Sequence, residues 1–344
     1  MSRAALFADK YSKKRGVAPV RQNAIVGRLS LQTVTDITKG NLHAAGATAA
    51  LAGIFLRLLF LQHGGMDESI IRLGFFFGIL SMMALAEVLS PRRGLSQGRK
   101  RWPANLAIVV IDSIVARLLL PAGATGAALW AAEQQFGLLH WIDLPEQVAI
   151  VVAVILLDLI VYAQHLLFHA LPILWRVHMV HHADRDIDVT TGLRFHPVEI
   201  LISMLIKIAC VVLLGAPVLA VIVFEVLLNG MAMFNHANVK LPARLDALLR
   251  LLLVTPDVHR IHHSIIRKET NSNYGFNLSV WDRLFGTYRA EPVQGHLDMT
   301  IGLEHLQQAA THSLGFMLRL PFRNLLGQYP ILTSKQDDQE NPHV

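Results

Sequence analysis

Long apolar stretches separated by short polar loops dominate the chain. A helix needs about 20 apolar residues to cross the hydrocarbon core of a bilayer, and most of these stretches approach that length. The last two are short for a full span and flank the turn sequence LGAPV, which predicts a tight transmembrane hairpin or a partly re-entrant one. The stretches lie at about 42–62, 70–89, 104–120, 148–168, 198–214 and 218–235. We therefore predict an all-α integral membrane protein with about four transmembrane helices plus this hairpin.

The overall composition agrees with a membrane protein. The 344 residues are 53% hydrophobic and 16% charged, with a mean hydropathy of +0.43. The net charge of +6 could suggest a nucleic-acid partner in a soluble protein, but here the basic residues cluster in short loops. We therefore expect no nucleic acid. The one cysteine, Cys210, lies in an apolar run and is interpreted as a small core residue.

The positions of the basic residues predict the orientation of the segments. Loops rich in Lys and Arg stay on the cytoplasmic side. The N-terminal segment and the loop near 90–103 are strongly basic, whereas residues 118–175 contain no Lys or Arg. The stretch carrying Trp130 and Trp141 is therefore expected on the outer side as an interfacial helix. The histidine-rich motifs fall on the cytoplasmic face, in a bacterial inner membrane or, in a eukaryote, the endoplasmic reticulum.

The same pattern divides the chain into four regions. Residues 1–41 are expected to form a basic cytoplasmic segment, and 42–240 a transmembrane stem. Residues 241–328 are expected to form a cytoplasmic helical cap, in which 303–320 has the apolar spacing of an amphipathic helix. The tail 329–344 has the composition of a disordered segment.

Two copies of His-x-x-His-His and one His-x-x-x-His give the sequence its most specific chemical signal. In a helix, residues three and four apart share a face, so each motif presents its imidazoles together. These eight histidines are His165, His169, His178, His181, His182, His259, His262 and His263. Imidazole binds iron, zinc, copper or nickel rather than calcium or magnesium, and eight nitrogens exceed the needs of one ion. Two metal ions are the expected number.

Other uses of these histidines fit the sequence less well. A zinc protease motif needs His-Glu-x-x-His, which neither HMVHH nor HRIHH supplies. Haem needs axial histidines that face each other across membrane spans. Structural histidines are the remaining alternative for this cluster, and they are the preferred interpretation of the other, isolated histidines.

A few further residues are candidates near the metals. His236 is expected to be a ligand because it lies at the cytoplasmic end of the hairpin. His196 could be a ligand, or it could cap the helix that begins at Pro197. Asp158 is two helical turns before His165 and could orient a ligand. No catalytic residue is predicted beyond the metal ligands.

These motifs resemble the fatty acid hydroxylase/sterol desaturase superfamily of membrane di-iron oxygenases. The resemblance rests on HLLFH, HMVHH and HRIHH, in that order, and on the continuation HSIIRKETNSNYGFNLSVWDRLFGTY. It implies two iron ions held by the eight histidines of the three motifs, with O2 as co-substrate. It also implies hydroxylation or desaturation of a fatty acyl or sterol-like lipid. Many members have a second histidine four residues before the position of His236, where this chain has Ala232.

The resemblance leaves several roles open. Asn271, Asn273 and Tyr274 follow the last motif and could position the ligands or the substrate, or simply form a turn. Because the chain has no dinucleotide or haem-attachment motif, electrons must come from a separate ferredoxin-like or cytochrome-type donor. The alternatives are an ether-lipid or carotenoid oxygenase on the same scaffold, or a non-redox metal-binding membrane protein.

The two arms of the hairpin each carry one charged residue within an apolar segment. Lys207 and Glu225 lie at similar distances from the Gly215–Pro217 turn. A charge in hydrocarbon is costly unless it is paired. We therefore predict that Lys207 and Glu225 form an ion pair, and the alternative is a Lys207 that reaches the interface alone.

Overall fold

The structure is a computed structural model that describes residues 68–333. Within that range the chain is helical, with three isolated β-bridges and no strand, so the all-α prediction is confirmed there. The basic segment 1–41, the apolar segment 42–62 and the tail from 334 onward lie outside the described residues.

Seven helices form the first part of the described chain, up to His236. They are α1 (Glu68–Leu89), α2 (Trp102–Leu119), α3 (Gly123–Glu133), α4 (Glu146–Ala170), α5 (Pro172–His182), α6 (Pro197–Leu214) and α7 (Val218–His236). Six shorter helices follow: α8 (Ala243–Leu249), α9 (Pro256–His262), α10 (Arg267–Thr270), α11 (Val280–Leu284), α12 (Gly295–Asp298) and α13 (Leu314–Arg319). Short 3-10 turns join several of them.

Five segments of the described chain are long and apolar enough to cross a membrane. They are Arg72–Leu89, Gly98–His140, Glu146–Ala170, Pro197–Leu214 and Val218–His236. Each matches one of the stretches predicted from hydropathy. The two hairpin arms have 18 and 19 residues, about 27–29 Å of helix at 1.5 Å per residue. Both arms are therefore close to the thickness of the hydrocarbon core.

The segment expected as an interfacial helix forms α3, which packs against α6 and α7. Its packed face consists of buried small residues, Ala124, Ala128 and Ala131, while Trp130 is half exposed. The turn between α6 and α7 contacts the chain just after α3. A Cβ on Gly137 would lie 2.2 Å from the backbone nitrogen of Gly215, and both glycines have positive φ. Only glycine permits this close approach.

The ends of α1, α4 and α7 and the starts of α2 and α6 meet at one end of the bundle. The backbone N–H of Arg92 donates to the Asn238 carbonyl at 2.9 Å, and that of Lys240 donates to the Ser90 carbonyl at 2.8 Å. The Glu87 carboxylate accepts from the backbone N–H groups of Val189 and Asn238. These contacts fix the histidine-rich motifs to the same end of the stem.

One residue of the basic loop has a structural role that the charge pattern did not predict. Arg101 is fully buried and pairs with Asp184 and Asp188, just after the second histidine motif. Asp186 accepts from the backbone N–H groups of Gln97 at 2.7 Å and Ser96 at 2.8 Å. The loop and the segment after α5 therefore hold each other in place.

The expected amphipathic helix over 303–320 is wrong as a continuous element. The segment forms a 3-10 turn at Glu304–Leu306 and the short helix α13. The buried guanidinium of Arg194 donates to the Thr311 carbonyl at 2.7 Å, within the break between the two. Leu306 and Met317 still pack into one buried cluster with Trp175, so the apolar spacing predicted burial correctly but not continuity.

The predicted ion pair in the hairpin is confirmed and has a third member. The Lys207 Nζ lies 3.1 Å from the Glu225 Oε1, and Arg72 of α1 pairs with the other carboxylate oxygen. Arg72 also donates to the Thr125 hydroxyl at 2.9 Å. One carboxylate therefore joins α1, α6 and α7 through charges inside the bundle.

Replacing Glu225 by Gln should lower the melting temperature by roughly 5–10 °C, because two cations would lose the anion that they share in an apolar setting. Thermal unfolding of the purified protein in detergent measures this shift. The matched control is Glu133→Gln on an exposed position, which should change little. An unchanged melting temperature for Glu225→Gln would contradict a stabilising role for the three charges.

Candidate metal centre

Nine histidines from four helices meet at one end of the bundle. All are buried, with at most 7% of each residue exposed. His165 and His169 lie in the last turns of α4, and the second motif forms the end of α5. His236 ends α7, and the last motif spans α9 and the residue after it. The nine are His165, His169, His178, His181, His182, His236, His259, His262 and His263.

The nine imidazoles form two groups. The first group has five members, His165, His169, His178, His182 and His262. The second has four, His181, His236, His259 and His263. Within each group, one ring nitrogen from every member lies within 4.8 Å of the others. Both groups therefore have the donors for one metal ion each.

The two copies of His-x-x-His-His are divided between the groups in a reciprocal way. In α5, His178 and His182 belong to the first group and His181 to the second. In the last motif, His259 and His263 belong to the second group and His262 to the first. Residues four apart share a helix face, while the next residue along is turned by about 100°. Each motif can therefore supply both groups at once.

Backbone carbonyls orient four of the rings. Nδ1 of His165 lies 2.8 Å from the Tyr274 carbonyl, and Nδ1 of His262 lies 2.7 Å from the Ser272 carbonyl. Nδ1 of His236 lies 2.7 Å from the Ala232 carbonyl, and Nδ1 of His181 is 3.3 Å from that of Arg194. Because a carbonyl only accepts, each Nδ1 is the donor. In a neutral ring the lone pair is then on Nε2.

These lone pairs face each other. The Nε2 atoms of His165 and His262 are 3.0 Å apart, and those of His181 and His236 are also 3.0 Å apart. Two acceptors cannot share a hydrogen bond, whereas a cation bound between them could take both lone pairs. Two imidazole nitrogens bound at right angles to one ion at about 2.1 Å would be separated by about 3.0 Å. The donor set therefore fits metal ions.

Side chains orient two further rings of the first group. His178 Nδ1 lies 2.6 Å from a carboxylate oxygen of Glu199, and His169 Nδ1 lies 3.1 Å from Oδ1 of Asn271. Such partners fix the ring and raise its basicity as a ligand. Within residues 68–333, Nε2 of His169 and of His178 has no hydrogen-bond partner, and neither nitrogen of His182 or His263 has one. Buried nitrogens without a partner are expected where a metal takes their lone pairs.

Burial keeps at least six of the nine histidines neutral. It lowers the pKa of His178 to about 3, and it holds the pKa of five others well below the usual histidine range, helped by neighbouring imidazoles. Those five are His181, His182, His259, His262 and His263. Neutral rings are the form that binds a metal.

This burial predicts how the metal-free protein responds to acid. Below about pH 6.5 the unfolded chain takes up protons on these histidines, but the folded chain does not. The unfolded state therefore gains stability as the pH falls, and the free energy of unfolding decreases. Thermal unfolding of chelator-treated protein between about pH 7.5 and pH 5 should show a steep fall in melting temperature. A constant melting temperature over that range would contradict burial of neutral rings.

Two of the remaining candidates have hydrogen-bond partners outside the two groups. His196 belongs to neither group: its Nδ1 accepts from the Val198 N–H at 3.2 Å, so it caps the start of α6. Asp158 has hydrogen-bond partners in the loop after the last motif, and its role in orienting a ligand stays a prediction. Asp158 accepts from Trp281 Nε1 at 2.8 Å and from the N–H groups of Asn277 and Leu278. It holds the loop after the last motif against α4.

The segment after the last motif contributes more contacts than a simple turn. Asn271 contacts His169, and the Ser272 and Tyr274 carbonyls contact His262 and His165. Asn273 has no histidine contact: with φ of 53°, it donates to the carbonyls of Val258 and Arg289 and so fixes the turn.

Sequence reasoning missed Glu199 and the carbonyl groups. Glu199 lies in the first turn of α6, 21 residues from His178, and no spacing rule connects two such positions. A backbone carbonyl has no signature in the sequence at all.

Comparisons with known proteins agree with this site. The fatty acid hydroxylase family model matches residues 150–287, the range that contains all nine histidines. The ornithine lipid hydroxylase of Rhizobium tropici is 31% identical over 157 residues, which is 46% of each chain. Human alkylglycerol monooxygenase is 31% identical over 131 residues, 38% of this chain and 28% of the relative. Rat cholesterol 25-hydroxylase is 26% identical over 145 residues, 42% of this chain and 47% of the relative.

The chain thus spans less than half the length of each of these relatives. No solved structure matches it. The family match covers the region that carries both histidine groups. Residues 150–287 therefore form a fatty acid hydroxylase domain, which confirms the resemblance to the fatty acid hydroxylase/sterol desaturase superfamily.

Proposed function

We propose that this chain is a membrane oxygenase that holds two iron ions and uses O2 to hydroxylate a C–H bond of a lipid. The observation that carries the proposal is the pair of histidine groups whose lone pairs converge. When bound, iron supplies the redox chemistry with O2 that unactivated C–H bonds require. Hydroxylation is favoured over desaturation because the family and the relatives are named hydroxylases or monooxygenases.

The nine histidines would hold the ions, five to one and four to the other. Their Nδ1 partners would keep four of the rings in one tautomer with Nε2 toward the metal. Glu199 and Asn271 would fix two more rings of the first group.

A cavity of about 1020 Å³ leads from the metal centre into the bundle. His165, His178, His181 and His259 line it at the histidine end, and apolar residues such as Leu157 and Phe168 line its wall. The volume is at the upper end of that of small-molecule sites, which suits a lipid chain. The apolar wall would exclude water from the reacting carbon.

The surroundings of this site are part of the proposal. The lipid would enter from the bilayer, and the histidine end would lie on the cytoplasmic face, as the basic loops indicate. A separate ferredoxin-like or cytochrome-type donor would supply electrons at the cap. The regions 1–41, 42–240, 241–328 and 329–344 remain the proposed division of the chain.

The test combines metal analysis with product analysis. Purified protein should contain two irons per chain, and with a reductant, a membrane lipid extract and isotopically labelled O2 it should add one labelled oxygen atom to a lipid. Loss of two hydrogens without added oxygen would identify a desaturase instead. A single zinc ion and no O2 uptake would contradict the proposal and favour a non-redox metal protein.

A further inference from the structure

The cavity that begins at the histidines continues far beyond them. Its opposite part is lined by Arg72, Lys207 and Glu225, the three charges that join α1, α6 and α7. Leu73, Ile114 and Leu129 also line it and are each at least half exposed among the described residues. The described helices therefore leave a lateral opening through which a lipid could reach the interior.

Asp112 of α2 lines this cavity and differs from its neighbours. It is only 4% exposed, and neither carboxyl oxygen has a hydrogen-bond partner within residues 68–333. The ionisable group that interacts with it is another acid, Glu199, on the adjacent helix α6. A buried carboxyl group without a partner destabilises the folded protein, because it has lost its hydrogen bonds to water.

Several other polar groups of the cavity wall have partners. Gln164 donates to the Ser203 hydroxyl at 2.8 Å, and the Ser113 hydroxyl donates to the Val109 carbonyl at 2.7 Å. Glu225 is held by two cations. Glu199 has one oxygen without a partner, but its other oxygen is bound to His178. Asp112 is thus the carboxyl group of this wall with both oxygens available to a ligand.

The position of Asp112 relates it to the metal centre. It lies ten residues from Trp102, the start of α2 at the histidine end, which is about 15 Å of helix rise. A group bound at Asp112 would therefore be separated from the reacting carbon by a fixed length of lipid. This separation would select which carbon is oxidised.

We propose that Asp112 binds a hydrogen-bond donor of the lipid substrate, a hydroxyl, an amide N–H or an amine. The inference deepens the proposed function, since it assumes that this cavity is the lipid site. It defines the substrate class as lipids that carry a donor group in the cavity, rather than hydrocarbons or simple esters. Asp112 is a binding residue in this scheme and has no part in the chemistry at the metals.

The test uses two substitutions and four lipids with the same alkyl chain. Asp112→Leu removes the carboxyl group at similar size, and Asp112→Asn keeps a hydrogen-bonding amide without the charge. Hexadecanol, palmitamide and hexadecylamine carry donors, whereas hexadecyl methyl ether carries an acceptor alone. The readouts are the lipid-induced rise in melting temperature of the detergent-solubilised protein and, for loaded enzyme, kcat/KM. Asp143→Asn, on an exposed loop position, is the matched control.

In Asp112→Leu we expect binding of the donor lipids to weaken about tenfold or more, with binding of the ether unchanged. Without lipid, this variant should melt a few degrees higher than the parent, because an unpaired buried group has been removed. Asp112→Asn keeps an acceptor oxygen but cannot carry a negative charge, so it should retain hexadecanol and palmitamide better than hexadecylamine, which is cationic in water.

Equal effects on donor lipids and on the ether, in both variants, would overturn the proposal. So would wild-type binding that does not distinguish the donor lipids from the ether. The thermal shift requires neither iron nor turnover, so it still reports on Asp112 if the oxygenase proposal fails. Conversely, absence of oxygenation with intact donor selectivity would refute only the proposed reaction.

Discussion

Alanine in place of His259 should reduce the bound metal from two ions to one per chain and bring lipid oxidation below detection. His259 belongs to the group of four histidines, so its removal leaves three imidazoles for that ion. His169 belongs to the group of five, and its removal leaves four. His169→Ala should therefore weaken metal binding less than His259→Ala. Metal analysis by mass spectrometry and titration with a chelator measure both effects.

His196→Ala is the matched control, because His196 is a buried histidine of the same region that caps α6. This variant should keep both ions and lose about 1 kcal/mol of stability, as expected for a lost helix cap. Two ions retained in His259→Ala would contradict the assignment of the second group. Loss of metal in His196→Ala would contradict its assignment as a cap.

Glutamine in place of Glu199 should lower the metal affinity of the first group by about 10–100-fold. Glu199 Oε1 lies 2.6 Å from His178 Nδ1, and a carboxylate at this position would make that imidazole a stronger ligand. Glutamine keeps the shape and an acceptor oxygen, so the variant isolates the contribution of the charge. Competition with a chelator gives the affinity, and lipid oxidation should fall with it at limiting iron.

Glu133→Gln, which neutralises an exposed glutamate at the end of α3, controls for the change in net charge. It should leave metal affinity unchanged. A Glu199→Gln protein with wild-type affinity would show that Glu199 does not tune His178 by its charge. A further loss in Glu199→Ala would measure what the hydrogen bond itself contributes.

The ranges of the long apolar helices could be predicted from the sequence, because a run of apolar residues is a property of neighbouring positions. A run of apolar residues long enough to span a bilayer has few alternative structures, and the described helices follow the predicted ranges closely. The pairing of Lys207 with Glu225 was also predictable, since equal distances from one turn place both at the same depth. Arg72 could not be added, because α1 is far away in the sequence.

The helix expected over 303–320 shows that a local apolar pattern does not predict whether a helix is continuous. Its apolar spacing indicated which side chains are buried, but the backbone there is interrupted where Arg194 donates to the Thr311 carbonyl. A contact between residues 117 positions apart competes with helix formation and has no local signature. The partners of Asp158, in the loop 277–281, were unpredictable for the same reason.

The sequence by itself identified the eight motif histidines, their presentation on helical faces and the expectation of more than one ion. These follow from the 3.6-residue period and from the chemistry of imidazole. Only the tertiary structure decided which histidine belongs to which group, that Glu199 orients His178, and that Asp112 faces a cavity without a partner. Spacing fixes directions along one helix, whereas distances between helices depend on how all of them pack together.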